Sequence, residues 1–240
     1  MKISVCIATY NGEKYIREQL ESILPQLAED DEIIISDDSS TDSTLSIIKN
    51  FGDNRIKVYA EQRFRNPIKN FENAINYATG DYIFLSDQDD KWMDRKVEVM
   101  SKALQQCDVV VSNAYIGDAD LNIIRDSYFE WRNSRKGFFK NLYKNSYLGC
   151  CMAFRKKILT KILPFPANIP MHDMWIGMMA EFHYKAIFIP DRLMIYRRHG
   201  GNATYLNADF TSNESLSAQI KYRITLLAAV IKRSYLKQIR

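Results

Sequence analysis

Three stretches of this chain share one plan: a short, β-branched apolar run that breaks off abruptly into polar residues. Ile3 to Ala8 runs into Thr9-Tyr10-Asn11-Gly12, Glu32 to Ser36 into Asp37-Asp38, and Asp81 to Ser86 into Asp87-Gln88-Asp89-Asp90. Between these strand-like runs the spacing turns helical. Apolar residues recur at Tyr15, Ile16, Leu20, Ile23, Leu24 and Leu27 over Glu13 to Leu27, and a Ser/Thr/Asp-rich start opens a helix over Ser39 to Asn50. Ile68 to Ala78 reads as a third helix closed by Gly80, while Ile56 to Ala60 and Val109 to Ala114 supply further strands. Short buried strands alternating with helices require right-handed crossovers. The expected fold class is therefore α/β, with a mostly parallel, Rossmann-like central sheet and helices on both faces. Ligands of such sheets bind beyond the carboxyl ends of the strands, which puts "ISDDSSTD" and "LSDQDD" on one rim.

At 240 residues the chain is long enough for one α/β domain with a small appendage. No apolar stretch approaches the roughly 18 residues of a membrane span, and the first residues enter a strand without an apolar leader, so a cytoplasmic protein is expected. Cys6, Cys107 and the adjacent Cys150-Cys151 follow neither a zinc nor a disulfide spacing, and read as buried structural thiols. The net charge of +4 is modest, and no nucleic-acid partner is expected.

The rim poses an electrostatic problem. Carboxylates crowded at the end of a buried strand raise one another's pKa unless a cation offsets them. A divalent ion would do so, and oxygen ligands of this kind suit Mg²⁺ or Mn²⁺ with positions left open for a diphosphate. A solvated acidic loop capping the next helix is the plainer alternative.

Four segments, "SVCIATYNGEKYIREQLESIL", "IIISDDSSTDST", "NFENAINYATGDYIFLSDQDDKW" and "HDMW…YRRHGGN", together resemble family 2 glycosyltransferases of the GT-A fold. They are most similar to the bacterial rhamnosyltransferase-like members that build polysaccharides. The resemblance covers about residues 1 to 205 and divides the chain accordingly. Residues 1–206 would form the transferase domain, with 1–114 the nucleotide-sugar half and 115–206 the acceptor half, and 207–240 would be a basic amphipathic tail. It implies inverting, metal-dependent transfer of a sugar from a nucleoside diphosphate donor, UDP- or dTDP-linked, to a saccharide hydroxyl, with Mn²⁺ or Mg²⁺ as cofactor and a lipid-linked acceptor expected.

The same resemblance assigns roles. Thr9 and Tyr10 would line the nucleobase pocket. Asp38 would accept hydrogen bonds from the base, with Asp37 beside it, and Asn70 would lie near the nucleotide. Helix capping is the other reading of the two aspartates. Asn66 stands where glycine is expected before "IKNF", and asparagine tolerates the left-handed backbone that such a position would need. Asp87 would reach the ribose or a metal-bound water, and Asp89 and His199 would hold the metal. Asp173 would be the catalytic base, against the alternative that it only N-caps a helix beginning at Met174. Gly149, Trp175 and His172 are acceptor-side candidates, with Trp92 and Trp131 as further sugar platforms. Arg197 and Arg198 are diphosphate candidates, one of which is expected to pair with a carboxylate instead. His183, in an apolar context, reads as structural. Asp118-Ala119-Asp120 repeats the Asp-x-Asp pattern, but its Gly, Asp and Asn neighbours mark a hairpin turn.

In the tail, Ser215 to Arg240 carries six basic and no acidic residues, and Leu216, Ile220, Ile224, Leu227, Ile231 and Tyr235 form an apolar stripe. Such a helix can lie on an anionic membrane surface, which would make the protein peripheral on the inner face of the membrane, or pack on its own domain. Two other function classes fit less well. A sugar-1-phosphate nucleotidyltransferase needs a Gly-rich, basic loop after the first strand, where "ATYNGEKY" has one glycine. A non-catalytic saccharide-binding module of the same fold would not need Asp87, Asp89, Asp173 and His199 together.

Overall fold

The computed structural model describes residues 1–200 and 216–236. One sheet organises it, with nine strands among the described residues: β1 (Ile3–Thr9), β2 (Glu32–Asp37), β3 (Ile56–Tyr59), β4 (Tyr82–Ser86), β5 (Lys91–Trp92), β6 (Val109–Gly117), β7 (Ile123–Arg125), β8 (Met152–Arg155) and β9 (Ala186–Arg197). The order is β3-β2-β1-β4-β8-β6-β9-β5, with β7 pairing β6. The first four strands in that order run parallel, and β6 and β9 form a second parallel pair. The short β8 lies antiparallel between β4 and β6, joining the two parallel groups. The α/β, mostly parallel reading therefore holds. One sheet spans residues on both sides of position 114, with β6 continuing to Gly117.

The helices are α1 (Ile16–Ile23), α2 (Thr44–Lys49), α3 (Pro67–Tyr77), α4 (Lys96–Leu104), α5 (Tyr128–Arg132), α6 (Phe138–Tyr143), α7 (Leu159–Ile162), α8 (His172–His183) and α9 (Leu216–Leu236). β1 and β4 are apolar along almost their whole length because helices cover both faces of the sheet, and Val5, Ile7, Ile83, Phe84 and Leu85 lose all solvent contact. Buried polar groups in this core are paired. Glu32 accepts hydrogen bonds from Ser4 Oγ (2.6 Å), Thr79 Oγ1 (2.7 Å) and Lys57 Nζ (2.6 Å). Burial pushes its carboxyl up, but the bonds from Lys57, Ser4 and Thr79 prevail and hold it down at about 2.

α2 is shorter than its sequence suggests. Ser39 to Ser43 form a loop instead, because their side chains and amides bind the turn after β1. Ser40 Oγ accepts from the Asn11 amide (2.9 Å), Thr44 Oγ1 from Gly12 (2.7 Å) and Asp42 Oδ2 from Glu13 (3.1 Å), while Asn11 Oδ1 accepts from the Thr41 amide (2.9 Å). Residues rich in short oxygen-bearing side chains compete with the helix in this way. Asn66 also departs from expectation. Its φ is −156°, extended rather than left-handed, and its side chain N-caps α3 by accepting from the Ile68 amide (2.9 Å), ahead of Pro67. The left-handed residue is its neighbour Arg65, with φ 48°.

α9 packs on its own domain. Leu226, Val230 and Ser234 are buried against α6 and α8, and His183 Nε2 meets Ser234 Oγ at 2.7 Å, giving His183 a structural part. Arg223 donates to the Tyr143 carbonyl (2.8 Å), and Arg233 to those of Leu163 (2.7 Å) and Pro164 (2.6 Å). Residues 201–215 and 237–240, which hold part of the tail and of its predicted stripe, lie outside the described residues.

Candidate active site

The rim predicted from the strand ends is formed as expected. Thr9 and Asp37 are register partners at the ends of β1 and β2, and Ser86 ends β4 beside them. Thr9 Oγ1 donates to Asp37 Oδ2 (2.8 Å), which also accepts from Ser40 Oγ (2.6 Å), while Asp37 Oδ1 accepts from the Ser40 amide (2.8 Å). Asp38 holds the next loop, its carboxylate accepting from the amides of Phe64 (2.6 Å) and Asn66 (3.3 Å). Asn70, buried on α3, donates to the Thr9 carbonyl (3.1 Å). Tyr10 is more than half exposed on the rim, which leaves its ring face open.

Between the turn after β1 and the Asp87-Gln88-Asp89 motif stands a contact that residue types alone did not announce. Gln88 accepts from the Tyr10 amide (2.9 Å) and donates to its carbonyl (3.1 Å), pairing with both main-chain groups of one residue as a neighbouring strand would. Gly12 makes room for it, since a Cβ there would run into Gln88 Oε1. The legible clue was a glycine after Tyr10-Asn11 with a long amide inside the acidic motif.

The acidic cluster is compact. Asp89 Oδ2 lies 2.7 Å from His199 Nε2, and the His199 ring rests on Tyr15 with centroids 4.6 Å apart. Asp90 is sealed from solvent. Its Oδ1 accepts from the Arg197 amide (2.9 Å), its Oδ2 meets no hydrogen-bond partner among the described residues, and the Cys150 thiol and Asp87 lie close to its carboxylate. Burial and the nearby charge of Asp89 push the Asp87 carboxyl up to about 7, and burial with the charges of Asp89 and Asp87 pushes Asp90 well above the usual carboxylate range. Beneath the cluster lies Lys96, a buried cation whose Nζ donates to the Cys150 carbonyl (2.7 Å) and sits 4.3 Å from the Trp92 ring centre. Burial lowers its pKa.

Two carboxylates whose pKa values are raised by burial and by neighbouring charge, a third facing an imidazole, and a rim open to solvent make a donor set that fits a hard divalent ion such as Mn²⁺ or Mg²⁺. Asp89 and His199, in contact with each other, are residues that could hold it. The second Asp-x-Asp triplet is engaged otherwise. Asp118 Oδ1 accepts from the amides of Asp120 and Asn122 (2.9 Å each), closing the β6–β7 hairpin as expected.

Asp173, the expected base, lies in the first turn of α8, whose N-cap is Met171, so it is not the cap proposed for a helix starting at Met174. It is buried, and accepts from the Met174 amide (2.5 Å) and the Gly149 amide. Burial prevails over these bonds and raises its carboxyl to about 6, and its charge is felt at Asp87. Gly149 is required by close approach, because a Cβ would come within 2.7 Å of His172 Nε2. The His172 ring is buried, stacks on Phe71 at 4.1 Å and meets no hydrogen-bond partner among the described residues, and burial holds it neutral with a pKa of about 3.

Two assignments need correction. Trp175 has no solvent exposure and spends its indole N–H on the Ile162 carbonyl (2.9 Å), so it offers a sugar no face. Arg197 is buried too, with its guanidinium donating to the carbonyls of Asp89 (2.6 Å) and Ala119 (2.6 Å) and to Glu18 (2.5 Å), so it braces the site instead of presenting itself to a diphosphate. Arg198 is partly exposed, its guanidinium 5.9 Å from the Tyr196 ring centre. Trp92 is likewise core.

Residues 4–163 match the model of Glycosyl transferase family 2. The chain is 30% identical over 223 residues to the dTDP-rhamnosyl transferase RfbG of Shigella flexneri, spanning 85% of this chain and 75% of that protein. It is 28% identical over 221 residues to the glycosyltransferase GlyG of Streptococcus pneumoniae, spanning 83% and 72%. The fold superposes on S. aureus TarS 1-349 in complex with UDP-GlcNAc with a TM-score of 0.68 at 20% identity, covering 98% of this chain and 73% of that one. It also superposes on the mannosyltransferase PcManGT of Pyrobaculum calidifontis in complex with GDP-Man and Mn²⁺, with a TM-score of 0.60 at 19% identity, covering 97% and 63%. With the family matched across two thirds of its length and the GT-A sheet beneath the match, the chain belongs to glycosyl transferase family 2 and is a glycosyltransferase.

Proposed function

We propose that the chain moves a sugar from a nucleoside diphosphate donor, UDP- or dTDP-linked, to a hydroxyl of a saccharide acceptor in cell-surface polysaccharide synthesis, inverting the anomeric carbon. The observation that supports this reading is Asp173, a buried carboxylate with its pKa raised to about 6 and near enough to Asp87 for its charge to act there. A base tuned near the working pH combines basicity with a large deprotonated fraction.

The donor's base and ribose would settle against Thr9, Tyr10, Asp37 and Asp38, with Asn70 fixing the turn beneath them. An ionised carboxylate offers about four lone-pair sites, so Asp38 can accept from a nucleobase while keeping Phe64 and Asn66. Asp87 lies within the cluster where the ribose and diphosphate meet. Asp173 takes the proton from the acceptor hydroxyl, whose oxygen forms the new bond to the anomeric carbon. The bond from that carbon to the diphosphate oxygen breaks on the opposite face, and the electron pair leaves with the nucleoside diphosphate. A divalent ion bound by Asp89 and His199 would neutralise the charge that develops on the departing diphosphate. Arg198 is the remaining diphosphate candidate, and Gly149 and His172 shape the floor beside Asp173.

Asp173→Asn tests the assignment, since it keeps the side chain's shape and removes its capacity to take a proton. Donor binding should stay as in the wild type, the melting temperature should move by no more than a few degrees, and transfer should fall by about 10² to 10⁴, the usual worth of general-base assistance. Near-normal transfer would move the base elsewhere, with Asp90 the next carboxylate to test. Release of free pyrophosphate from a nucleoside triphosphate and a sugar 1-phosphate would instead favour a nucleotidyltransferase.

A further inference from the structure

The apolar stripe that the tail sequence predicts is not the face by which α9 docks. Docking uses Leu226 and Val230, both fully buried. Ile224, offset from Leu226 by two residues and so by about 200° around the helix, is 63% exposed, and Ile220, Ile231 and Tyr235 on the same side are 48%, 45% and 63% exposed. The exposed lysines Lys221 and Lys232 border this stripe.

A second element continues the surface. α6 meets α9 where Arg223 donates to the Tyr143 carbonyl (2.8 Å) and stacks 5.1 Å from the Tyr143 ring centre. Tyr143 is nevertheless 74% exposed and Phe139, one turn earlier, 79%, the most exposed aromatic side chain among the described residues. Arg135, Lys136 and Lys144 stand exposed around them, and residues 131–148 contain no acidic residue, as residues 216–236 contain none.

We propose that the outer faces of α6 and α9 form one surface that seats the protein on an anionic lipid bilayer. The occupant follows from charge and residue type. An apolar stripe bordered by lysines, with tyrosines at its margin, matches the boundary between acyl chains and anionic headgroups. A second copy of this chain fits poorly, because a two-fold interface would lay the same basic border against itself. The inference does not depend on the reading of the active site, since it concerns location and not chemistry.

Flotation of the full chain with vesicles tests it, using equimolar phosphatidylglycerol and phosphatidylcholine against phosphatidylcholine alone. The protein should float with the anionic vesicles and be released by salt. Phe139→Ser combined with Ile224→Ser should weaken binding by about tenfold or more, as should Lys221→Glu combined with Lys232→Glu. All four side chains are exposed, so circular dichroism and melting temperature should not change. A wild-type chain that stays in the soluble fraction at low salt, or variants that float like it, would overturn the proposal. So would a wild-type dimer in sedimentation velocity that Ile224→Ser dissociates without any vesicle binding.

Discussion

Asp87-Gln88-Asp89 and Asp118-Ala119-Asp120 are the same pattern in letters and opposite in physics. The first follows a strand that is buried along its whole length, so its carboxylates crowd Asp90, Asp173 and the Cys150 thiol, and burial raises the Asp87 pKa to about 7. The second closes a hairpin in water. There Asp118 is bonded by Asn122 and by the amides of Asn122 and Asp120, and these bonds lower its pKa. One cluster keeps carboxylates whose pKa values are raised by burial and by one another, and the other is satisfied by its own backbone and Asn122. What makes an Asp-x-Asp triplet a candidate for chemistry is therefore the supply of donors around it.

The largest expected effect breaks this comparison directly. Asp89→Ala and His199→Ala should each abolish the Mn²⁺-dependent tightening of nucleoside diphosphate binding, measured by titration calorimetry with and without chelator, while Asp118→Ala and Asp120→Ala should leave it intact. Equal losses from both pairs would sink the distinction. Next in size is a pH effect confined to the buried site. A base must be deprotonated, so with Asp173 raised to about 6 the transfer rate should be nearly flat above neutrality and fall as pH drops through about 6, by about tenfold for each further unit. Asp118→Ala should not shift that limb. The smallest effect concerns the middle residues. Gln88→Ala removes two hydrogen bonds to the Tyr10 main chain, which at about 1 kcal/mol each should weaken donor binding by at most roughly thirtyfold, whereas Ala119→Gln, at a position that contributes only its backbone, should change nothing measurable.

Much of this was legible because a buried parallel strand announces itself by an unbroken apolar run, as Ile33-Ile34-Ile35 and Ile83-Phe84-Leu85 do. The convergence of Asp37, Asp38, Asp87 and Asp89 on one rim followed from strand direction alone. β9 was not legible, since Pro190, Asp191 and Arg192 sit exposed in its middle and its register with β6 shifts there. Nor were Arg197 and Lys96 readable as internal braces, because a cation's burial is decided by partners distant in sequence: Glu18, Asp89 and Ala119 for one, the Cys150 carbonyl for the other. Trp175 misled for a related reason. Its indole, like those of Trp92 and Trp131, suggested a sugar platform, but one helical face cannot serve both the core and the cleft, and α8 is buried along most of its length.

Arg197 also gives the silent triplet an indirect hold on the active one. Its guanidinium spans the Ala119 carbonyl at the hairpin tip, the Asp89 carbonyl in the acidic motif and Glu18 on α1, two residues before His199. Because Ala119 contributes a main-chain atom, side chains at the tip can drift without consequence for the site. Loop length cannot: one residue inserted between Gly117 and Asn122 would displace that carbonyl and unseat the arginine that orders the chain leading into His199. The hairpin thus acts as a ruler whose length matters while its lettering does not.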